Sequence, residues 1–258
     1  MNKQQGKNQI WFDNSTKLYS NKPVLNKLSF TIAENEYVAL IGNNGCGKTT
    51  TINVLCNLVP YEKGNVYVFG SKVTPAYTSY KDQLGIVLST HYSIREFSIV
   101  DYLSFVGEFQ FLKRKEVRAR LEDLLRLFEL EDQKHKTLKY LSSGNLMKVS
   151  IAAALIHNPK ILVLDEPFAN LDIRTIQTII EIIKRFRGKK TVFITSHNID
   201  LVVDLCDRFL LMENGRILTE INNNERLTSR ELKEKIKTYL VSKTISVKEI
   251  DWLNLNTP

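Results

Sequence analysis

One short segment of the sequence combines glycines with a Lys-Thr pair at spacings that suit phosphate binding. It reads Gly42, Asn43, Asn44, Gly45, Cys46, Gly47, Lys48, Thr49, Thr50. This spacing fits the P-loop pattern, in which glycines let successive backbone N–H groups turn inward around an anion. An apolar run precedes the segment at 38–41 and a helix-compatible run follows at 49–58, so a helix N-terminus would face the same anion. The pattern predicts an ATP site, with Lys48 on the β- and γ-phosphates and Thr49 on Mg²⁺.

Two carboxylates further along the chain complete the metal side of such a site. Residues 161–164 are continuously apolar, which is typical of a strand buried on both faces of a parallel sheet. Asp165 and Glu166 follow directly, at the strand end where ligands bind in open α/β sheets. We expect Asp165 to hold Mg²⁺, directly or through water, and Glu166 to orient and deprotonate the attacking water.

A histidine follows the next apolar strand, which is predicted at 191–194. His197 would lie at the same sheet edge as the phosphates, so a contact with the γ-phosphate is one interpretation. From position alone, the alternative is an ordinary surface or core histidine.

The surrounding pattern predicts the elements that position these groups. Strands are expected at 24–32, 37–41, 65–69, 161–164 and 191–194, and helices at 117–128, 142–156 and 176–186. Thr228 and Glu231 form a capping box that opens a helical tail, either a partly docked appendage or a partner-binding segment.

Composition excludes several classes of protein. The 258 residues are 43% hydrophobic and 25% charged, as in ordinary globular proteins rather than disordered or collagen-like chains. No run of about 18 apolar residues occurs, and the first fifteen residues lack the apolar block of a secretory signal, so we expect a cytoplasmic protein. The net charge of +8 is compatible with nucleic acid, an anionic membrane surface or solubility alone. The three cysteines have no CxxC spacing and are expected to be reduced.

Together these segments resemble the nucleotide-binding subunit of ABC transporters over roughly residues 8 to 221. The distinguishing feature resembles the family signature LSGGQ and reads Leu141, Ser142, Ser143, Gly144, Asn145. The resemblance implies that this segment of one subunit caps the γ-phosphate held by the P-loop of another. It also implies that Tyr19 stacks on adenine, that Asp172 lies in the loop crossing the dimer interface, and that His197 is the switch histidine.

The resemblance further implies an α/β fold with a P-loop NTPase core on a parallel sheet, an antiparallel β subdomain and an inserted helical subdomain. The nucleotide-binding domain would cover 1–225, with the helical subdomain at about 90–158, and the helical tail would cover 226–258.

The sequence departs from the family pattern at three positions. Ser143 replaces the first glycine of the signature pair, and Asn145 replaces its glutamine. Ser89 stands where the family carries a glutamine that touches Mg²⁺ or the attacking water. We expect the shorter serine to contribute to catalysis only through a water, and hydrolysis to persist because Glu166 and His197 are intact. Slow turnover, or work as half of an unequal pair, would agree with these changes.

The resemblance implies an ATPase that powers a membrane transporter, most like exporters with a separate permease chain. It would act on the inner face of the cell membrane as a pair with itself or a related chain. The permease contact would lie around Ser89 and 102–111, although the aromatic segment 105–111 is more often core. Nucleic acid is not an expected partner.

Two alternatives stay open. One is a soluble ABC-type ATPase acting on nucleic acid or ribosomes, in which the net positive charge would favour binding to the phosphate backbone. DNA-repair relatives carry a long coiled coil that is absent from the sequence between Lys48 and Leu141, and translation-linked relatives usually carry two nucleotide domains. The other is a regulatory nucleotide-binding protein with negligible hydrolysis, which steady-state ATPase activity would distinguish.

Overall fold

The computed structural model describes residues 8–76, 78–89, 94–223 and 227–240. Its strands are β1 Asn8–Tyr19, β2 Lys22–Ala33, β3 Tyr37–Ile41, β4 Lys63–Val68, β5 Ser71–Lys72, β6 Leu84–Val87, β7 Ile161–Asp165, β8 Thr191–Ser196, β9 Arg208–Glu213 and β10 Arg216–Asn222. Its α-helices are α1 Lys48–Leu55, α2 Ile99–Phe109, α3 Arg114–Leu127, α4 Ser143–Leu155, α5 Ile173–Lys184 and α6 Ser229–Leu240.

The larger sheet carries the predicted buried strands. Its order is β10-β9-β3-β8-β7-β6, and every pairing from β9 to β6 is parallel, while β10 runs antiparallel to β9. Strand β3 is fully buried because its side chains alternate between two hydrophobic cores. Val38 and Leu40 enter one core, and Tyr37, Ala39 and Ile41 enter the other. This explains why the central strands have continuously apolar sequences.

The smaller sheet is antiparallel and has the order β2-β1-β4-β5. Phe12 of β1 stacks on Phe30 of β2 with ring centroids 4.7 Å apart, and Phe30 lies 5.7 Å from Phe193 of β8. These contacts pack the smaller sheet against the larger one, with α1 in the same core. The predicted α/β class, with a parallel core sheet and an antiparallel β subdomain, is confirmed.

Helices α2, α3 and α4 form the inserted helical part of the fold. The predicted apolar face of α3 is buried at Val117, Leu121, Leu124 and Leu125, as expected for side chains spaced three and four residues apart. The core interpretation of the aromatic segment 105–111 is wrong for its three phenylalanines. Phe105, Phe109 and Phe111 are 45%, 70% and 93% exposed, respectively.

Two sequence-based expectations need adjustment. Helix α5 begins at Ile173, three residues before the predicted start, because the Asp172 side chain accepts a hydrogen bond from the Thr175 backbone N–H and caps the first turn. The pattern does not predict strands β1, β5, β6, β9 and β10. In β10 only Ile221 is buried, and the pairing register with β9 shifts between Ile217 and Thr219.

The tail helix α6 is docked on the larger core. Leu232 and Ile236 are fully buried there, and Lys233 pairs with Asp200 at 2.9 Å. The predicted capping box is present, since the Thr228 backbone N–H donates to Glu231 Oε2 at 2.8 Å. The domain boundary at 225/226 stays a prediction, as does any partner for this helix.

Two further expectations concern cysteines and membrane spans. Cys46, Cys56 and Cys206 are all free and buried, as expected for reduced thiols. In the part of the chain that the structure describes, the helices are too short or too polar to cross a bilayer.

Candidate nucleotide site

The phosphate loop connects β3 to α1 at the carboxyl edge of the larger sheet. Gly47 caps α1 with a φ of 117°, a left-handed conformation that glycine adopts without steric cost. A Cβ at Gly47 would lie 2.9 Å from the Val24 carbonyl oxygen, and one at Gly42 would lie 2.3 Å from the Met212 carbonyl oxygen. The loop therefore needs glycine at these positions to pack against β2 and β9.

The Lys48 side chain lies beneath this loop and is only 6% exposed. Its ammonium group donates to the carbonyl oxygen of Gly42 at 2.8 Å and of Asn43 at 3.3 Å, and it lies 3.2 Å from Glu166 Oε1. A buried cation with strong acceptors on one side is well placed to meet a phosphate on the other.

Asp165 ends strand β7 and is fully buried. Its Oδ1 accepts from the Thr195 hydroxyl at 2.6 Å and from the Thr49 hydroxyl at 3.4 Å. Its Oδ2 accepts from the Ser89 hydroxyl at 2.8 Å. Ser89 thus contacts Asp165 directly, and the expectation that it reaches Mg²⁺ or the attacking water only through a water stays a prediction.

Glu166 leaves the strand in a left-handed conformation, with a φ of 50° that a non-glycine residue adopts at a cost. Its backbone N–H donates to Thr195 Oγ1 at 3.0 Å. Its Oε1 faces Lys48, and its Oε2 lies 2.8 Å from His197 Nδ1 and accepts from the His197 backbone N–H at 3.3 Å. Glu166 and His197 are thus neighbours at one edge of the sheet, whereas the sequence placed them 31 residues apart.

Lys48, Ser89 and Glu166 border a cavity of about 340 Å³. Its lining comes from the predicted site almost throughout: Tyr19, Val24, Asn44, Gly45, Gly47, Lys48, Thr49, Thr50, Ser89 and Glu166. Tyr19 is 45% exposed at the rim, with the Lys17 ammonium 5.1 Å from its ring centroid. Cys46 belongs to the phosphate loop but is buried and does not line the cavity. Burial raises the pKa of its thiol.

The donor set of this cavity suits Mg²⁺ and a nucleoside triphosphate. Thr49 and Asp165 offer a hydroxyl and a carboxylate oxygen, and magnesium prefers oxygen ligands supplied by one or two side chains together with substrate phosphates. Among the described residues, no group of three or more His, Cys, Asp or Glu side chains could hold a metal alone. A magnesium ion bound beside Thr49 and Asp165 would take its remaining oxygen ligands from phosphate and water.

The signature residues lie at the N-terminus of α4, outside the lining of this cavity. The Ser142 hydroxyl caps the helix by accepting from the Asn145 N–H at 3.2 Å, and the Asn145 side chain donates to Gln133 Oε1 at 3.1 Å. The Ser143 hydroxyl donates to the Asn170 carbonyl oxygen at 3.3 Å.

Asp172 also lies outside the cavity, next to the signature. A Cβ on Gly144 would lie 2.9 Å from Thr175 Oγ1, so the two helix starts are in close contact. The Thr175 backbone N–H and then its hydroxyl, at 2.9 and 2.7 Å, hold the pKa of Asp172 below its ordinary value. The structure thus brings the signature and the loop at 169–172 together, away from the phosphate loop of the same chain.

Sequence reasoning missed Thr195, which donates to Asp165 and accepts from the Glu166 backbone. Its position as a hydroxyl residue near the end of an apolar strand, two residues before His197, was the available signal. It was missed because a threonine in a buried strand is ordinary and its partner lies on another strand.

Comparison with known proteins agrees with this geometry. The model of the ABC transporter family matches residues 25–169, more than half of the chain. The chain belongs to the ABC transporter ATP-binding family. An uncharacterised ABC transporter ATP-binding protein from Methanocaldococcus jannaschii is 32% identical over 211 residues, covering 81% of this chain and 76% of that protein.

Other ABC proteins show the range of the family. The Nod factor export ATP-binding protein I of Sinorhizobium fredii is 32% identical over 212 residues, 82% of this chain and 62% of its own length. The rat ATP-binding cassette sub-family A member 2 is 28% identical over 210 residues. The matched region covers 81% of this chain but only 9% of that protein. A solved dimeric ATP-binding cassette, in a post-hydrolysis state with ADP and Pi, superposes with a TM-score of 0.77 at 25% identity, covering 83% of this chain and 98% of the other.

Proposed function

We propose that this chain binds and hydrolyses ATP and that hydrolysis powers a transporter, in the export direction, through a separate permease chain. Lys48, Thr49 and Glu166 line one cavity, and Asp165 lies directly behind it in contact with Thr49; this arrangement carries the proposal. Each residue has a distinct chemical task there, and the tasks together are those of phosphoryl transfer to water.

In this mechanism Lys48 binds the β- and γ-phosphates, and the N-terminal end of α1 adds its backbone N–H groups and positive dipole. Thr49 and Asp165 would hold Mg²⁺, and the bound ion would supply neutralisation of the phosphate charge. Glu166 accepts a proton from the attacking water, because its carboxylate lines the same cavity as Lys48 and lies 3.2 Å from the Lys48 ammonium group. His197, held 2.8 Å from Glu166, orients that carboxylate and contacts the γ-phosphate.

A second nucleotide-binding subunit completes the site. The signature residues Ser142, Ser143, Gly144 and Asn145 lie at a helix N-terminus that is suited to an anion but lies outside the cavity of their own chain. They would therefore act on the γ-phosphate held by a partner, as would the neighbouring loop that contains Asp172. The dimeric assembly of a structural neighbour supports this arrangement. ATP would close the pair, and hydrolysis would release it.

The surface for the permease is an apolar groove of about 870 Å³ between the edge strand β6 and helices α2 and α4. Leu84, Leu88, Val106 and Ala154 contribute to its floor and walls. Phe109 and Phe111, which also line it, are largely exposed, although burying them would gain free energy. A short cytoplasmic helix of a permease would bury these rings and hold the chain on the inner face of the membrane. The export direction is supported by the similarity to the Nod factor export ATP-binding protein of Sinorhizobium fredii.

Affinity capture from gently solubilised native membranes tests the transport proposal. The tagged wild-type chain should recover a polytopic membrane protein, and the double variant Phe109→Ser, Phe111→Ser should lose it while retaining ATP binding. A matched control is Tyr239→Ser, which alters another exposed aromatic side chain on α6. Recovery of ribosomal or nucleic-acid-bound partners without a permease would overturn the transport proposal. If the purified protein did not turn over ATP, the proposal that the chain hydrolyses ATP would be wrong.

A further inference from the structure

The carboxylate of Asp165 is held from both sides by hydroxyl groups. Thr195 donates to Oδ1 at 2.6 Å, and Ser89 donates to Oδ2 at 2.8 Å. Thr49 makes a longer contact of 3.4 Å with Oδ1, on the side that faces the phosphate loop. Asp165 has no exposed surface, so these hydroxyls rather than bulk water determine how its oxygens are directed.

Ser89 reaches Asp165 because of the strand register. In the parallel pair β6 and β7, Val87 lies opposite Leu164, so the chain leaving β6 passes the end of β7 where Asp165 lies. Ser89 belongs to the lining of the nucleotide cavity, whereas its neighbour Leu88 lines the apolar groove beside α2. This two-residue segment is therefore shared by the nucleotide cavity and the groove.

We infer that Ser89 is a positioning residue for magnesium: its hydroxyl fixes the Asp165 carboxylate in the orientation that binds the ion, and it is not itself a ligand. The inference rests on the proposed Mg-ATP site. It adds a role for Ser89, which stands where the family pattern has glutamine. The Ser89 hydroxyl donates a hydrogen bond to Oδ2 of Asp165. This leaves Oδ1 directed toward Thr49. Removal of Ser89 would let the carboxylate rotate, and would leave Oδ2 without its hydroxyl donor.

In this role Ser89 is an outer partner of the metal ligand Asp165, since it contacts the carboxylate and not the ion. Loss of such an outer partner of a metal ligand typically weakens metal affinity by about 10–100-fold.

The test measures metal affinity without turnover. Wild-type protein is stripped of divalent ions, bound to a fluorescent ADP derivative in EDTA, and titrated with Mg²⁺ after the chelator is removed. Ser89→Ala should raise the apparent Kd for Mg²⁺ by about 10–100-fold and leave the metal-free affinity for the nucleotide unchanged. Ser89→Thr keeps the hydroxyl and should restore the wild-type value. Ser71→Ala removes a hydroxyl from the edge strand β5 and should have no effect.

Ser89→Cys separates positioning from direct coordination. A thiol is a weak hydrogen-bond donor, so this variant should resemble Ser89→Ala with Mg²⁺, and it also provides a size-conserving replacement should Ser89→Ala fail to fold. Selective rescue of Ser89→Cys by Cd²⁺, relative to wild type, would make residue 89 a metal ligand and overturn the inference. An unchanged Mg²⁺ affinity in both folded variants would overturn it as well.

Failure of the proposed site gives a different result from failure of the inference. If wild-type protein bound the fluorescent nucleotide neither with nor without Mg²⁺, the Mg-ATP site and the inference would both be wrong. If wild type binds the nucleotide and Mg²⁺ strengthens binding, but Ser89→Ala behaves identically, only the role of Ser89 is wrong.

Discussion

Replacement of Glu166 by glutamine tests the assignment of the catalytic base. In the structure the two carboxylate oxygens have separate partners: Oε1 lies 3.2 Å from the Lys48 ammonium, and Oε2 lies 2.8 Å from His197 Nδ1. Glutamine keeps the shape of the side chain but cannot accept a proton from water at neutral pH. General-base catalysis typically contributes about 10²–10⁴-fold, or roughly 3–5 kcal/mol of activation free energy. We therefore expect Glu166→Gln to reduce the ATPase kcat by that factor.

The same substitution should not weaken ATP binding. At 3.2 Å and an effective dielectric constant of about 20, the gross attraction between Lys48 and Glu166 is about 5 kcal/mol. Phosphate groups compete with Glu166 for the same ammonium, so removing the negative charge leaves Lys48 more available to the nucleotide. We expect the Kd for ATP to stay equal to that of wild type or to fall, and the closed dimer to accumulate.

Steady-state phosphate release and equilibrium ATP binding measure the two effects on the same preparation. Glu181→Gln is a matched control, because Glu181 is an exposed acid on α5 away from the site and its kcat should equal that of wild type. A kcat for Glu166→Gln within about tenfold of wild type, well short of a general base's contribution, would refute the assignment of Glu166 as the base. A large loss of ATP affinity would refute the argument that Glu166 competes with the phosphates.

Three further predictions concern stability and thiol reactivity. Leu232→Ala in α6 should reduce the free energy of unfolding by about 2–5 kcal/mol in urea titrations, because Leu232 is fully buried; an unchanged midpoint would show that α6 is dispensable to the fold. Asp172→Ala should lower the melting temperature at pH 7. Hydrogen bonds from Thr175 lower the folded-state pKa of Asp172 below its ordinary value, so this stabilisation is lost as the carboxylate is protonated. The difference in melting temperature between variant and wild type should therefore shrink as pH falls below about 4. A pH-independent difference would contradict the capping role. Cys56, whose pKa burial raises to about 12, should react with iodoacetamide at pH 8 far more slowly in native than in guanidinium-unfolded protein, as mass spectrometry of the labelled peptide would reveal.

Much of the nucleotide site could be predicted from the sequence because its parts are local. The phosphate loop, the strand before it and the helix after it are contiguous, so glycine spacing alone indicates the nest and places Lys48 and Thr49. The order of apolar strand followed by Asp165 and Glu166 is likewise local, and parallel strands bring such ends to one edge. The same reasoning correctly predicted the capping box at Thr228 and the buried face of α3.

Contacts between distant segments could not be predicted in this way. An aromatic segment such as 105–111 is compatible with a buried core and with an exposed binding surface. Only the packing of α2 leaves Phe109 and Phe111 exposed beside a groove. The Ser143 hydroxyl meets the Asn170 carbonyl across two helix starts, a contact that no periodicity indicates.

The sequence by itself determined which groups of this protein are equipped for chemistry: a phosphate loop, the acidic pair Asp165 and Glu166, and a signature segment, each encoded within a few adjacent residues. The tertiary structure alone decided which of these groups touch. Strand order and register bring Ser89 and Thr195, 76 and 30 residues from Asp165, onto opposite oxygens of its carboxylate. Hydrogen bonding needs positions accurate to a few tenths of an ångström, and only the packed sheet holds distant segments in place to that accuracy.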